Sequence, residues 1–506
     1  MSFFRKLSPI DFFSSTYASF KRTGHLVLNA DNLKSKVFRG GVWIGGGQIA
    51  DQAARFGRNM ILTRLLAPES FGVMAIILSA ISVIQSFTDI GVREGLVQHK
   101  SGDHDDYVNA AWWLALSRGF ALAMVVVIAA PYVARFYQNA SLTGFLRVAS
   151  IAIILEGALS PRSHVAMKHM KFGKLAAISG LGGLCGTFVT ITLGFLLHNT
   201  WALVLGVCSE SAAKCILSFV LCPYLPMLRW NREAGSQLMH FSRGLFGLSF
   251  LNLVFARADI FVLAKILSAS SLGYYSMAVY LIQNPASFII TVLGQILLPF
   301  FSQIRDNIGR TNRVLGQILA SIGILGLPTI AFIALFGHSL LAVAYGPHYA
   351  AMATTLTVAS VGVLINVLNA QITTVFYAHG TPNLHRRAVF AMAVVMVLTI
   401  YPFAKEFGVV GAQLASLAAV FVGFLLQALR LRKITGFRAV LTQGEGVTAV
   451  LAVGIVVGAC LLAHSSSILT RPPMTLLLGI ASVVFAYLLC GRMLLQLRIL
   501  SGTSAS

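Results

Sequence analysis

Apolar stretches of about twenty residues recur along nearly the whole chain, separated by short polar connections, and nothing else in the sequence constrains the fold as strongly. A helix needs about 20 mostly apolar residues to cross ~30 Å of hydrocarbon, and within lipid every backbone polar group must be bonded internally. Fourteen such stretches are legible, at 37–66, 71–90, 109–136, 142–161, 172–198, 201–223, 242–267, 272–301, 314–336, 350–377, 388–407, 410–431, 447–464 and 474–495. The expected architecture is all-α, a polytopic membrane protein. Composition agrees: 11% of residues are charged, less than half the roughly 25% usual in a soluble domain.

The formal net charge of +22 points to anionic headgroups rather than nucleic acid, because Lys and Arg sit mostly between the apolar stretches. The segment up to Arg39 carries seven of them. Alternate connections are then basic: Arg162, Lys168, Lys171 and Lys174; Arg229, Arg232 and Arg243; Arg305, Arg310 and Arg313; Arg386 and Arg387; Arg430, Arg432, Lys433 and Arg438. The positive-inside rule then places both termini in the cytoplasm. The expected division is a cytoplasmic tail over 1–36, an N-terminal lobe over 37–224, a cytoplasmic linker over 225–241, a C-terminal lobe over 242–434, and two further helices with a cytoplasmic C-terminus over 435–506.

A repeat supports the two lobes. Shifting the first half by 201 residues brings Gly46 onto Gly247, Leu62 onto Leu263, Arg64 onto Lys265 and Leu66 onto Leu267. The same shift brings Ser70 onto Ser271, Gly72 onto Gly273 and Phe87 onto Phe288. Six spans keep their orientation, so the lobes are expected to be related by a pseudo-twofold along the membrane normal. Substrate sites in such proteins lie between the repeats.

Leu62-Thr63-Arg64-Leu65-Leu66-Ala67-Pro68-Glu69-Ser70-Phe71-Gly72 resembles the end of the first helix in bacterial polysaccharide-transport flippases. Phe87-Thr88-Asp89-Ile90-Gly91, Met167-Lys168-His169-Met170-Lys171-Phe172, Arg257-Ala258-Asp259 with Leu272-Gly273-Tyr274-Tyr275, and Leu298-Pro299-Phe300-Phe301-Ser302 resemble further marks of that family. It is the Wzx-type, colanic-acid-exporter-like branch of the multidrug/oligosaccharidyl-lipid/polysaccharide exporter superfamily. The resemblance runs from about Val37 to Lys433. It implies two six-helix lobes around a central cavity, alternating access, and undecaprenyl-pyrophosphate-linked oligosaccharide as substrate.

Buried charges are the candidate site residues, since an ionisable group at mid-bilayer costs at least ~2.5–3.5 kcal/mol and tends to face a cavity or a partner. In the first span Gln48, Asp51, Gln52, Arg55, Arg58 and Asn59 share one polar stripe, preceded by Gly40, Gly41, Gly45, Gly46 and Gly47. That combination suits a moving gate, although Asp51 and Arg55 at i, i+4 can also satisfy each other. Asp259 in the seventh span is the repeat partner of Arg58, so the two are candidates to pair across the cavity in one state and part in another. Arg118 and Arg147 lack a carboxylate at i±3 or i±4. The pyrophosphate or a carboxylate on another helix, such as Glu156 or Asp89, would serve as counter-anion. Arg55, Arg58, Arg118, Arg147, Arg257 and Lys214 are therefore the candidate cationic cavity, with Lys214 also placed to pair with Glu210. Asp51, Glu156 and Asp259 are the candidates for ion coupling or gating. Arg64 and Lys265 end their helices and are expected to snorkel to headgroups.

Several activities are disfavoured. No G-x-x-x-x-G-K-[ST] loop occurs, so ATP hydrolysis is not expected. Cys208, Cys215 and Cys222 share a helix face but read as a packed seam, and no metal or cofactor is expected. An enzyme on a lipid-linked substrate needs a large outer loop, whereas the outer connections at 67–70, 138–141, 199–200 and 268–271 are short. A drug or cation antiporter of the same superfamily would share the fold but fill its cavity with acids. Expected partners are the lipid-linked oligosaccharide, membrane lipids and polysaccharide polymerase machinery, with no nucleic acid.

Overall fold

The computed structural model describes residues 33–86, 103–169, 171–227, 248–437, 443–465 and 472–502, with isolated residues 96, 231, 233 and 235–236. Most of the N-terminal tail, the Phe87–Gly91 motif with Asp89, Gly247, and the side chains of Gly40, Gly41, Gly45 and Gln48 lie outside the described residues. The described residues form helices: α1 Leu33–Leu65, α2 Pro68–Ser86, α3 Asp105–Phe136, α4 Ser141–Gly157, α5 Arg162–Lys168, α6 Phe172–Leu197 and α7 Thr200–Leu221. There follow α8 Leu248–Ile266, α9 Ala269–Gln303, α10 Ile308–Tyr345, α11 Ala353–Ala378, α12 Pro382–Thr435, α13 Gln443–Ser465 and α14 Pro472–Gly502.

Among the described residues, eight helices are long and apolar enough to cross a membrane on their own. α12 is one of them, with 54 residues. It breaks at Gly408, where φ of 58° and ψ of −133° leave the helical region, so it folds back as two spans. A side chain at that φ would be strained, which is why glycine stands there. α4 and α5 are together long and apolar enough for one span, with a bend of 52° between them. α1 and α8 are less apolar, since they carry Asp51, Arg55 and Arg58, and Arg257, Asp259 and Lys265. With these helices, α13 and α14 included, the bundle has about fourteen spans. The short connections are fixed by side-chain caps: Asn199 accepts from the Trp201 amide at 3.0 Å, and Ser268 from the Ser271 amide at 3.2 Å.

Equivalent helices pack equivalently. α1 lies along α6, and α8 lies along α12; α3 packs on α4, and α10 on α11. α13 and α14 pack on each other and on α10. Contact between the two sets runs chiefly through α2, which packs on α8 and α9.

That contact closes one end of the bundle, the end bearing the tight turns α1–α2 and α8–α9. A Cβ on Gly72 would strike the backbone of Ala269 and Gly273, and one on Gly273 would strike Pro68 and Gly72. The repeat-equivalent glycines thus face each other across the junction, where only hydrogen allows such close approach. Ser270 donates to Glu69 at 2.9 Å across the same junction.

The repeat extends to the flanking cations. Arg64 donates to the Val343 carbonyl at the end of α10, and Lys265 to the Phe136 carbonyl at the end of α3, both at 2.6 Å. Snorkelling to headgroups is therefore not their main engagement. Each caps orphan carbonyls at the negative end of a helix from the opposite half.

Candidate functional site: a charged cavity between the helical halves

A cavity of about 340 Å³ lies directly beneath the closed end, lined by α1, α2, α4, α6 and α7 on one side and by α8 and α9 on the other. Its charged lining is Arg55, Arg58, Glu156, Glu210, Lys214, Arg257 and Asp259. Arg58 sits seven residues before the end of α1, which is about 10 Å down a helix rising 1.5 Å per residue.

One wall is a chain of ion pairs. Asp51 Oδ2 accepts from Arg55 Nε at 2.9 Å, Arg55 Nη2 donates to Glu210 Oε1 at 2.5 Å, and Lys214 Nζ donates to the same oxygen at 2.6 Å. α6 makes room for it. Cβ atoms at Gly182, Gly183 and Gly186 would collide with Lys214, Asp51 and Glu210 respectively. The run Gly180-Leu181-Gly182-Gly183-Leu184-Cys185-Gly186 therefore lets three charged side chains nest against a helix backbone that a larger residue would push away.

The opposite wall holds charge differently. Asp259, buried in α8, accepts from Tyr275 Oη at 2.6 Å and from the Ile260 amide at 2.8 Å. Tyr275 in turn accepts from Gln413 Nε2 at 2.5 Å. Asp259 and Arg58 line the same cavity but are not bonded to each other in this state.

Two cations remain without a bonded counter-charge among the described residues. Arg58 makes no hydrogen bond or ion pair with a described residue, and its Nε is buried. Arg257 likewise has no bonded partner among the described residues, although Asp259 is near enough to feel its charge. One arginine comes from each half of the bundle.

Comparison with known proteins now bears on this cavity. The family model described as "Polysaccharide biosynthesis protein" matches residues 61–354, more than half of the 506. The chain belongs to this family. It is 20% identical over 397 residues to the lipopolysaccharide biosynthesis protein WzxC of Escherichia coli (strain K12), covering 78% of this chain and 79% of that one. In three dimensions it is similar to the lipid II flippase MurJ in an inward closed conformation. The TM-score is 0.72 and the identity 12%, over 90% of this chain and 100% of that chain. It is also similar to an inward-facing multidrug resistance MATE transporter of the MOP superfamily, with a TM-score of 0.56 and 13% identity over 76% and 95% of the two chains.

Within this family member, the sequence-derived candidates separate into three groups. Arg55, Arg58, Lys214, Arg257, Glu156 and Asp259 line the cavity. Asp51 stands just behind it, paired to Arg55. Arg118 and Arg147 do not line it. Arg118 donates to the Gln85 carbonyl at 3.1 Å, and Gln85 donates to Glu156 at 3.1 Å, so Arg118 and Glu156 belong to one network at the edge. Arg147 is exposed on α4, because that helix packs through Leu142, Phe145, Leu146, Ala149 and Ile153, on its other side. The expected cationic cavity needs the same correction. Of its four cations, Arg55 and Lys214 are engaged by acids, and Arg58 and Arg257 are left unbonded in a lining that also holds the carboxylates Glu156 and Asp259.

Sequence reasoning missed Tyr275, Gln413 and the α6 glycines. Tyr275 stood within a quoted motif, and the density of glycine in one apolar span was a visible signal. Gln413 lies 138 residues from Tyr275 and gave none.

Proposed function

We propose that this chain flips undecaprenyl-pyrophosphate-linked oligosaccharide repeat units from the cytoplasmic to the periplasmic leaflet for surface or exopolysaccharide synthesis. The observation that carries the reading is the pair of unpaired arginines, Arg58 and Arg257, facing one cavity from opposite halves. An unpaired guanidinium inside a membrane protein calls for an anion, and its planar fork suits phosphate oxygens. A diphosphate has charge for both.

The closed junction at Gly72 and Gly273 is the periplasmic seal in this reading, with both termini in the cytoplasm of a bacterial inner membrane. The two lobes divide at the 225–241 linker. They rock about the α2–α8–α9 contacts, and parting of the glycine junction opens the cavity to the other side. The polyprenyl tail stays in lipid beside α1. Asp259 is the ion-coupling candidate, and polysaccharide polymerase machinery would receive the product.

The test is the lipid-linked oligosaccharide pool in cells lacking the chain, extracted and sized by mass spectrometry. The expected result is accumulation of an undecaprenyl-pyrophosphate oligosaccharide on the cytoplasmic side together with loss of surface polysaccharide. An unchanged pool with raised sensitivity to cationic drugs would replace this reading with that of an antiporter.

A further inference from the structure

A second cavity, of about 610 Å³, adjoins the first on the side away from the tight turns. Lys214 lines both. The second is bounded by α1 through Gly47, Asp51 and Gln52, by α5 to α7, and by α9 through Ser287, Phe288, Thr291 and Gln295. Its volume falls within the ~300–1,000 Å³ of small-molecule sites.

The chemistry of its walls differs from that of the first cavity. The charges at its border are Asp51 and Lys214, each already engaged, by Arg55 and Glu210. Apart from the titratable imidazole of His164, the remaining polar side chains among the described residues are neutral. Gln52, Ser163, Ser179 and Gln295 carry no side-chain hydrogen bond to a described residue. Thr291 uses its proton on the Ser287 carbonyl and keeps its lone pairs. Phe288 adds an aromatic surface. Neutral hydroxyl and amide groups beside an aromatic ring match a sugar, which offers hydroxyls around an apolar face. A carboxylated sugar would lie near the Asp51 carboxylate, and Lys214 is already engaged by Glu210.

We propose that this second chamber is the glycan subsite, and that it takes uncharged sugars next to the diphosphate held by Arg58 and Arg257. The assignment rests on the flippase reading and adds a division of labour to it. The charged chamber binds the linkage that every such lipid shares, and the neutral chamber selects the sugar.

The test uses the purified full-length chain in detergent and three probes: undecaprenyl diphosphate, the same lipid bearing a neutral disaccharide, and the same lipid bearing a uronic-acid disaccharide. The neutral glycolipid is expected to bind roughly tenfold more tightly than the sugar-free lipid, the scale of one or two net hydrogen bonds. Gln295→Leu with Thr291→Val should abolish that difference. Both side chains are exposed, and an unchanged thermal midpoint would show the fold intact. Arg58→Gln should weaken both lipids by the same factor and keep the ratio. The subsite is overturned if the double variant leaves the ratio unchanged, or if the uronic-acid lipid binds as tightly as the neutral one. If none of the three lipids binds the unaltered chain, the flippase reading falls with it.

Discussion

Arg55 on α1 and Asp259 on α8 face one cavity from opposite halves of a repeated bundle, yet their charges are held by different means. Around Arg55, four ionisable groups neutralise one another: Asp51, Arg55, Glu210 and Lys214 form a continuous chain. Around Asp259, the partners are uncharged: the Tyr275 hydroxyl and a backbone amide, with Gln413 behind Tyr275. The difference bears on what each side tolerates. Removing one member of an ion-pair chain strands its neighbours as uncompensated charges. Protonating Asp259 strands no bonded cation, so this carboxylate can change its charge with less disturbance than Asp51 or Glu210. Within one cavity, Asp51 and Glu210 are tied to cations, whereas Asp259 is held by neutral donors.

The largest expected effect comes from breaking the ion-pair chain. Glu210→Gln leaves Arg55 and Lys214 without their shared carboxylate and is expected to destabilise by about 3–5 kcal/mol, the usual result of removing one partner from a buried pair. The readout is the thermal unfolding midpoint of the purified protein. Adding Lys214→Met should restore part of the loss, and a midpoint unmoved by Glu210→Gln would remove the basis of the contrast. Tyr275→Phe probes the other half. It takes one donor from Asp259 and one acceptor from Gln413, with an expected loss of about 1–3 kcal/mol. Asp259→Asn keeps one oxygen for Tyr275 but turns an NH2 toward the Ile260 amide, and should lower the midpoint about as much as Tyr275→Phe does. If Asp259→Asn is instead as damaging as Glu210→Gln, the carboxylate charge is structural and the two sides of the cavity do not hold charge differently. Arg147→Gln should do least. An exposed side chain with no bonded partner among the described residues changes stability by no more than ~0.5 kcal/mol, and surface polysaccharide output should be unchanged. Lost output would return Arg147 to the transport path.

The fold was legible in some detail. The apolar runs at 388–407 and 410–431 anticipated the break inside α12, because glycine at 408 can take a positive φ at little cost. The shift of 201 residues anticipated that Gly72 and Gly273 hold equivalent places. It did not anticipate that they touch, since a repeat gives equivalence and not the position of the axis relating its copies. The polar stripe of α1 and the i, i+4 pair of Glu210 and Lys214 were readable from helical periodicity. Arg147 shows the limit of that argument: unpaired within its own helix, it still faces away from the cavity.

What the sequence determined alone was a membrane-spanning helical bundle, its repeat, and the positions along it where charge is buried. Those follow from local physics: the length of apolar runs, the period of the helix, and the cost of charge in lipid. Only the tertiary structure decided which charges meet. Arg55 reaches Glu210 across 155 residues of chain, and Tyr275 links Asp259 to Gln413 across 138. Periodicity tells which residues share a face, but the rotation and depth of each helix against its neighbours are set by packing. Here that packing turns on glycines at 182, 183 and 186 that let α1 and α7 bring their charged side chains against α6.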